Sequence, residues 1–263
     1  MQFLGDTLEK IAVEKAGIIK PNTPVVVGEY QQDIAFVFEQ KAKELDSTLY
    51  FANQNFTIDY GMLSIDEKQI FQVYKGNDLV YPDLKTDLLG LFQKKNVTTV
   101  LQSVELLIQK GFSINKKHIY TGFENAAELT GLKGRWQTIG YNPRIVCDIG
   151  HNEDGIKNVI EQIKTISYKN LHVVFGVVED KNFDNILSLL PKEASYYFCK
   201  ASIPRALNEK ILQKKATEFN LNGKSYSTVV EAYEHAKQSA QKEDFIFVGG
   251  STFVVADLLE PRN

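Results

Sequence analysis

The sequence predicts an α/β protein whose rear half is a Rossmann-like, mostly parallel sheet with helices on both faces. From residue 144 onward, apolar runs of strand length alternate with amphipathic segments of helical period. This is the pattern of parallel strands joined by right-handed crossover helices. Within residues 50–85, two segments alternate apolar and polar residues with a period of two and are interrupted by Gly and Asn. That second pattern predicts a small antiparallel sheet.

Composition sets limits on function. The chain has 263 residues, 43% of them hydrophobic and 24% charged, and a net charge of −3, which is ordinary for a globular protein of up to two domains. This charge gives no electrostatic reason to bind nucleic acid or a membrane. There is no signal peptide and no apolar run of about 18 residues, and Cys147 and Cys199 have no metal-binding spacing. We therefore expect a monomeric cytoplasmic protein with reduced thiols.

The first predicted element is a helix that begins at a capping box of Asp6 and Glu9 and ends before Gly17. Its inward positions at helical spacing are Leu8, Ile11, Ala12 and Lys15. A buried ammonium is costly unless it is paired, deprotonated or modified. Lys15 is therefore either a side chain that extends its amine to the rim or a functional lysine.

The rest of the front half alternates helices and strands up to a glycine-rich break at Gly131 and Gly134, which predicts domains over 1–131 and 132–263. Asn96 is placed to cap the longest helix of this half. The predicted strands are 24–28, 56–61 and 70–77, and the predicted helices are 34–45, 96–110 and 125–129.

The rear half contains five strands and five helices in alternation. The predicted strands are 145–149, 172–178, 195–199, 224–227 and 245–248, and the predicted helices are 152–166, 183–190, 207–219, 229–240 and 252–259. Ligands of such sheets bind at the carboxyl ends of the strands. Those ends carry Asp148 with His151, Gly176 with Asp180 and Lys181, and the turn 249–251.

Several groups at these ends suit a nucleotide. Asp148 ends an apolar strand, where a carboxylate can accept from a ribose hydroxyl or lie near a metal. His151 and Asn152 start a helix whose free N–H groups favour an anion, and the guanidinium of Arg135 matches phosphate oxygens. Each also has a structural alternative: a helix cap for Asp148 or Asn152, an exposed turn residue for His151 and a surface charge for Arg135. The turn that ends in Ser251 is either a phosphate nest or a tight connection.

Six stretches together resemble folylpolyglutamate synthase, a branch of the Mur ligase superfamily. They are LGDTLEKIAVEKAGIIKP at 4–21, LLGLFQKKNVTTVL at 88–101, GRWQ at 134–137, DIGHN at 148–152, GVVEDKNF at 176–183 and PRAL at 204–207. The resemblance implies the tail of a central ATPase domain followed by a complete ligase domain. It also implies an ATP-dependent ligase that joins L-glutamate to folate, or to dihydropteroate, through an acyl phosphate.

The resemblance further implies roles for individual residues. Lys15 matches a lysine that becomes carbamylated and helps to place Mg²⁺, which prefers oxygen ligands. Asn96 and Arg135 match ATP-contacting positions, and Asp148 matches the carboxylate that holds the ribose. His151 matches a residue near the incoming glutamate or acyl phosphate. The weaker candidate for substrate contact is Ser251.

One expected part of such an enzyme is not in the sequence. The family has a P-loop ahead of the leucine-glycine seen here as Leu4 and Gly5, whereas no GxxxxGK[ST] motif occurs in the chain. Phosphoryl transfer depends on clamping the β- and γ-phosphates, so we expect the chain alone to be inactive. Two alternatives stay open: another Mur-type ligase acting on a cell-wall nucleotide, and a non-catalytic nucleotide-binding module.

Overall fold

The computed structural model describes residues 7–64, 66–179 and 183–260. It contains two compact units. The first comprises the residues up to Asp87 together with Phe92–Leu129, and the second comprises Leu88–Leu91 together with the residues from Thr130 onward. The assignment of these parts to an ATPase domain and a ligase domain stays a prediction.

The first unit combines a two-stranded parallel sheet with a three-stranded antiparallel sheet. Strands β1 and β2 pair in parallel, and β3, β4 and β5 form the antiparallel sheet in that order. In chain order the elements are α1 Leu8–Ala16, β1 Val25–Val27, α2 Ala35–Glu44, β2 Leu49–Phe51, α3 Ala52–Asn55, β3 Phe56–Leu63, β4 Gln69–Lys75, β5 Asp78–Thr86, α4 Gln93–Gln109 and α5 Lys116–Glu124. The small antiparallel sheet predicted from the two-residue period is therefore confirmed.

Helix α1 presents a different face to the core than its spacing predicted. Its buried residues are Ala12 and Ala16, whereas Leu8 is 63% exposed and Lys15 is also exposed. Of the predicted inward residues, Ala12 is confirmed as buried and Ile11 is half-buried, whereas the inward positions predicted for Leu8 and Lys15 are wrong. The predicted capping residue Asp6 lies outside the described residues, and the hydroxyl of Thr7 caps the helix by accepting from the Lys10 N–H at 3.2 Å.

The second unit is a six-stranded sheet with the strand order β10-β9-β8-β11-β7-β6. Every neighbouring pair is parallel except β6 and β7. Helix α6, Ala126–Thr130, falls almost wholly in the first unit. The elements of the second unit are β6 Gln137–Tyr141, β7 Arg144–Asp148, α7 Glu153–Ile163, β8 Leu171–Phe175, α8 Phe183–Leu189, β9 Ser195–Cys199, α9 Glu209–Glu218, β10 Gly223–Tyr226, α10 Val229–Ser239, β11 Phe245–Gly249 and α11 Thr252–Leu259. The predicted mostly parallel α/β sheet is confirmed, with β6 as an added antiparallel edge strand.

Both faces of this sheet are buried, as a parallel sheet requires. Every residue of β8 and β11 is buried. One face packs in a cluster that includes Val146, Phe175 and Phe247, and the other packs in a cluster that includes Cys147, Val174 and Val248. Successive side chains of each strand point to opposite faces of the sheet, so the sheet separates two hydrophobic cores. None of the described helices has the length and apolarity needed to cross a bilayer.

The strand register aligns the carboxyl ends of four strands in one row. Asp148 pairs with Gly249, Gly249 pairs with Phe175, and Phe175 pairs with Phe198. Neighbouring strands lie about 4.8 Å apart, so this row spans about 14 Å from β7 to β9. We call it the carboxyl edge, and the candidate ligand groups of the second unit follow it.

Candidate ligand site at the carboxyl edge of the second unit

The turn 134–137 brings Arg135 to the carboxyl edge through bonds on both sides of that residue. Gly134 has φ +72°, and its carbonyl accepts from the Ile149 N–H at 2.9 Å. The Gly134 N–H donates to Oε1 of Gln137 at 2.9 Å. A Cβ at Gly134 would lie 2.7 Å from a methyl of Ile149, so only glycine fits this approach.

Trp136 anchors the other side of the turn. Its backbone has φ +49°, which a bulky residue adopts only when its surroundings impose it. Its indole is buried and stacks on Phe247 with ring centroids 6.2 Å apart, and its N–H donates to Oδ2 of Asp148 at 2.8 Å. Arg135, between these two fixed neighbours, is exposed. The turn therefore holds the Arg135 backbone and leaves its guanidinium accessible.

Asp148 uses both carboxylate oxygens within the protein. Oδ2 accepts from Trp136, and Oδ1 accepts from the Gly150 N–H at 2.7 Å. Burial raises the pKa of this carboxyl above its usual value, although the two N–H groups and the charge of Arg135 act in the opposite direction. Each oxygen keeps a second lone pair, so a ligand hydroxyl can still donate to it. The carboxylate also has a structural function that the sequence did not indicate, namely to join the end of β7 to the Arg135 turn.

Asn152, rather than Asp148, caps the following helix. Oδ1 of Asn152 accepts from the Gly155 N–H at 2.7 Å at the start of α7. The first turn of α7 carries Glu153 and Asp154, whose charges already complement the positive end of the helix dipole. This arrangement weighs against the predicted anion site at that helix end.

His151 is exposed beside the cap, with Nδ1 3.1 Å from the carbonyl oxygen of Ile149. A carbonyl oxygen only accepts, so this contact needs a proton on Nδ1. In the neutral ring, Nε2 is then the acceptor nitrogen. His151 can therefore accept a proton or a hydrogen bond through Nε2 at the carboxyl edge.

Ser251 caps α11 and is buried. Its hydroxyl oxygen accepts from the Phe253 N–H at 3.2 Å, and its residue exposure is 3%. Gly250 before it has φ +93°, and a Cβ there would lie 2.5 Å from the Phe175 ring and 2.7 Å from the Gly176 carbonyl oxygen. The turn is thus a close connection between β11 and α11. Substrate contact by Ser251 stays a prediction.

Lys15 and Asn96 belong to the first unit. Lys15 lies in the last turn of α1 and is exposed. Its carbamylation stays a prediction. Asn96 lies in the first turn of α4, where Nδ2 donates to Oε1 of Gln93 at 2.8 Å. The cap position of α4 is Phe92, which makes no side-chain cap bond. The structural alternative that Asn96 caps this helix is therefore wrong.

The first unit also contains a cleft of about 390 Å³ next to the start of α4. Phe56 and Ile58 supply its apolar lining, and Glu29 and Lys95 line it as an ion pair with 2.8 Å between Oε2 and Nζ. Neither Lys15 nor Asn96 is among the residues that line the cleft. Within the described ranges, no group of three or more His, Cys, Asp or Glu side chains is arranged to hold a metal ion. These residues therefore do not by themselves form the expected Mg²⁺ site.

The class of the second unit follows from comparison with known families. Residues 134–252 match the family model described as Mur ligase, glutamate ligase domain. The match includes the Arg135 turn, the Asp148 strand end and the turn at Gly250. This part of the chain is similar to the glutamate ligase domain of Mur ligases.

The particular relatives are folylpolyglutamate synthases. The chain is 26% identical over 265 residues to the dihydrofolate synthase/folylpolyglutamate synthase of Bacillus subtilis, covering 98% of this chain and 59% of that protein. It is 29% identical over 257 residues to a probable bifunctional folylpolyglutamate synthase/dihydropteroate synthase of Haloferax volcanii, covering 97% of this chain and 30% of that protein. The chain is thus similar to a part of each of these proteins and spans less than two thirds of their length.

Solved structures give the same result for the fold. Escherichia coli FolC in complex with ADP is 25% identical and superposes with a TM-score of 0.79, covering 98% of this chain and 58% of that one. A bifunctional folylpolyglutamate synthase/dihydrofolate synthase with Mn, AMPPNP and L-glutamate bound has a TM-score of 0.77 at 22% identity, covering 98% of this chain and 58% of that one. The first of these structures contains ADP, and the second contains AMPPNP, L-glutamate and Mn.

Proposed function

We propose that this chain supplies the ligase domain and part of the ATPase domain of an enzyme that adds L-glutamate to a folate. In the reaction, the γ-carboxylate of folate attacks the γ-phosphorus of ATP and gives an acyl phosphate and ADP. The amine of glutamate then attacks the acyl carbon, phosphate leaves, and the amine loses a proton as the amide forms. Homology over nearly the whole chain to folylpolyglutamate synthases supports this proposal.

The observation that carries the proposal is the hydrogen bond from the Trp136 N–H to Asp148, which joins the Arg135 turn to the end of β7. We call this connection the clamp. A guanidinium fixed through its backbone neighbours can meet a phosphate without much loss of backbone freedom on binding. Asp148 retains lone pairs for a ribose hydroxyl, and Nε2 of His151 can accept a hydrogen bond from the amine of the second substrate. Lys15, as a carbamate, and Asn96 are assigned to Mg²⁺ and ATP only through the family resemblance. When bound, Mg²⁺ would screen the negative charge of the phosphates.

The test uses a chimeric enzyme in which this chain replaces the corresponding C-terminal part of the Bacillus subtilis relative. We expect phosphate release that requires both folate and glutamate. Arg135→Ala should lower kcat/KM by about tenfold to a hundredfold, the effect of losing one charged hydrogen bond. Lys214→Gln removes an exposed charge on α9 and serves as the matched control.

Two outcomes would contradict the proposal. One is a folded chimera that binds ADP but releases no phosphate with any folate. The other is turnover with a cell-wall nucleotide precursor in place of folate, which would identify a different Mur-type ligase. The chain alone is expected to release no phosphate.

A further inference from the structure

The cleft beside the start of α4 contains none of the residues that the proposed function uses. Its volume of about 390 Å³ is in the range of cavities that take small organic molecules. All of its lining residues belong to the first unit, and they come from the end of β1, from α3, from β3 and from α4. The cleft is therefore a candidate site that is complete within one compact unit.

One wall of the cleft is the first part of β3. Phe56, Thr57 and Ile58 line the cleft in succession. Successive side chains of a strand point to opposite faces, so three residues in a row line a cleft when the edge of the strand faces it. Among the strands that the structure describes, β3 pairs only with β4, and its outer edge can bond a ligand. Phe56 and Ile58 are buried in the core of the first unit, so this wall is a fixed apolar surface.

The opposite wall is the start of α4, which lies close to the end of β1. It contributes Lys94, Lys95 and Thr98. The Thr98 hydroxyl donates to the Lys95 carbonyl at 2.8 Å, which leaves its oxygen free to accept from a ligand. Gly28 marks the close approach, because a Cβ there would lie 2.6 Å from Oγ1 of Thr99. The two walls are thus in place before a ligand arrives, which reduces the entropy cost of binding.

The polar groups of the cleft favour an anion. The ammonium of Lys95 is paired with Glu29 at 2.8 Å. Lys94 is exposed, and within the described ranges its ammonium makes no ion pair and no hydrogen bond. Asn53 accepts from the Tyr30 N–H through Oδ1 at 2.9 Å, so its Nδ2 group can donate to a ligand. The cleft therefore offers one unpaired cation and one amide donor.

We propose that this cleft binds a small aromatic carboxylate. A flat ring matches the apolar wall of Phe56 and Ile58, and a carboxylate matches the Lys94 ammonium and the amide of Asn53. The Glu29 carboxylate in the lining disfavours a dianion, since it would repel a second negative charge. The site is separate from the residues assigned to ATP and glutamate, and the inference does not depend on the proposed function.

The experiment is a nuclear magnetic resonance titration of the whole chain with naphthoate at constant ionic strength. We expect saturable shifts of the backbone amides of Gly28, Thr57 and Lys94, with a Kd of about 1 mM or lower. Lys94→Gln should raise the Kd about tenfold, as expected for a lost charged hydrogen bond. Lys110→Gln removes an exposed lysine at the other end of α4 and should leave the Kd unchanged. Equal Kd values for Lys94→Gln and the wild type would overturn the inference.

Two ligands with the same ring test the chemical class. Naphthamide lacks the charge and should bind the wild type about tenfold more weakly than naphthoate does, with no difference between the wild type and Lys94→Gln. Equal affinity for the acid and the amide would overturn the assignment to a carboxylate. Naphthyl phosphate at equal or higher affinity would assign the cleft to a phosphate and would also overturn it.

A variant that fills the cleft tests the location. Thr57 is exposed on an edge strand, so Thr57→Trp should be tolerated by the fold and should abolish the shifts caused by naphthoate. Unchanged naphthoate binding by Thr57→Trp would place the ligand elsewhere and overturn the inference. So would the absence of saturable shifts at the cleft in the wild type, whatever the chain does with ADP.

Discussion

The carboxylate of Asp148 accepts a hydrogen bond of 2.8 Å from the backbone N–H of Trp136, twelve residues earlier in the chain. This bond joins the end of a buried strand to a turn that begins an antiparallel edge strand. It also constrains Arg135, which lies next to Trp136. The carboxylate is therefore needed for the shape of the site, whether or not it also contacts a ligand.

Replacement of Asp148 by alanine should loosen this turn. Two buried or half-buried N–H groups, of Trp136 and Gly150, lose their acceptor, and each such loss costs about 1–3 kcal/mol. We expect the free energy of unfolding to fall by about 2–4 kcal/mol in urea titrations. Trp136 is the only tryptophan of the chain, so its fluorescence emission should shift to longer wavelength in the folded variant.

Asp154→Ala provides the control for Asp148→Ala. Asp154 is an exposed residue in the first turn of α7, and its removal should cost only about 0.3–1 kcal/mol through the helix dipole. Equal losses in the two variants, or an unchanged tryptophan emission in Asp148→Ala, would show that the clamp does not determine the conformation of the turn.

The turn between β11 and α11 depends on Gly250 for two separable reasons. A residue with a Cβ would have to adopt φ +93° and would also contact Phe175 and the Gly176 carbonyl at less than 3 Å. Gly131 has φ +67° with no atom within 4 Å of its added Cβ. Gly131→Ala should therefore lose only about 1 kcal/mol of stability, whereas Gly250→Ala should lose about 2–4 kcal/mol. Thermal unfolding of both variants measures the difference, and equal shifts in Tm would argue against the close packing.

The two cysteines should be unreactive in the folded chain. Burial, with a smaller effect from the charge of Asp148, raises the pKa of the Cys147 thiol to about 12, and burial also raises the pKa of Cys199. The thiolate is the reactive form, so an aromatic disulfide reagent at pH 8 should label the native chain at least about a thousandfold more slowly than the urea-unfolded chain. Single Cys→Ser variants identify which thiol reacts. Rapid labelling of either thiol under native conditions would mean that its strand opens to solvent.

Much of the second unit could be predicted because its strands are short apolar runs with clear boundaries. Strand β9 and helix α11 have the predicted bounds, and the other parallel strands differ by only a few residues. Strand β6 was not predicted, since QTIGY has no apolar run and its pairing with β7 contains a register shift at Gly140. Its edge position removes the need for continuous burial, so the sequence carries little signal.

The site was less predictable than the sheet because its key contacts involve the backbone. Arg135 and Asp148 stand out by residue type, but the bond from the Trp136 N–H to Asp148 depends on a positive φ at a tryptophan, which no spacing rule indicates. A sole tryptophan beside an arginine and after a glycine was the one available hint. Arg205 stands out in the sequence only as part of PRAL, because its contact with Phe253 joins residues that are far apart in the chain.

The buried carboxylate of Asp244, directly before β11 and beside the start of β8, should make the stability of the second unit sensitive to acid. Asp244 accepts bonds from the Asn170 N–H at 3.0 Å, Asn170 Nδ2 at 2.8 Å and the Gln241 N–H at 2.7 Å, and lies 3.3 Å from His172 Nε2. Burial alone would raise the pKa of Asp244, but these bonds together bring it below its usual value of 3.8. A carboxyl whose pKa is lowered on folding adds stability at pH values above its unfolded pKa, and this contribution is lost as the pH falls through the folded pKa.

Asp244→Asn should therefore be less stable than the wild type at pH 7, by about 1–3 kcal/mol for the lost charged acceptor. The difference should narrow as the pH falls from 3.8 through the lowered pKa of the folded carboxyl, because Asp244 then gains a proton and becomes neutral, like the asparagine of the variant. Urea unfolding at a series of pH values measures this convergence. Asp184→Asn removes a half-exposed carboxylate with one ion pair to Lys215 and should change stability by less than about 1 kcal/mol at every pH. A constant gap between wild type and Asp244→Asn from pH 7 to pH 3 would mean that the bonds of Asp244 do not depend on its charge.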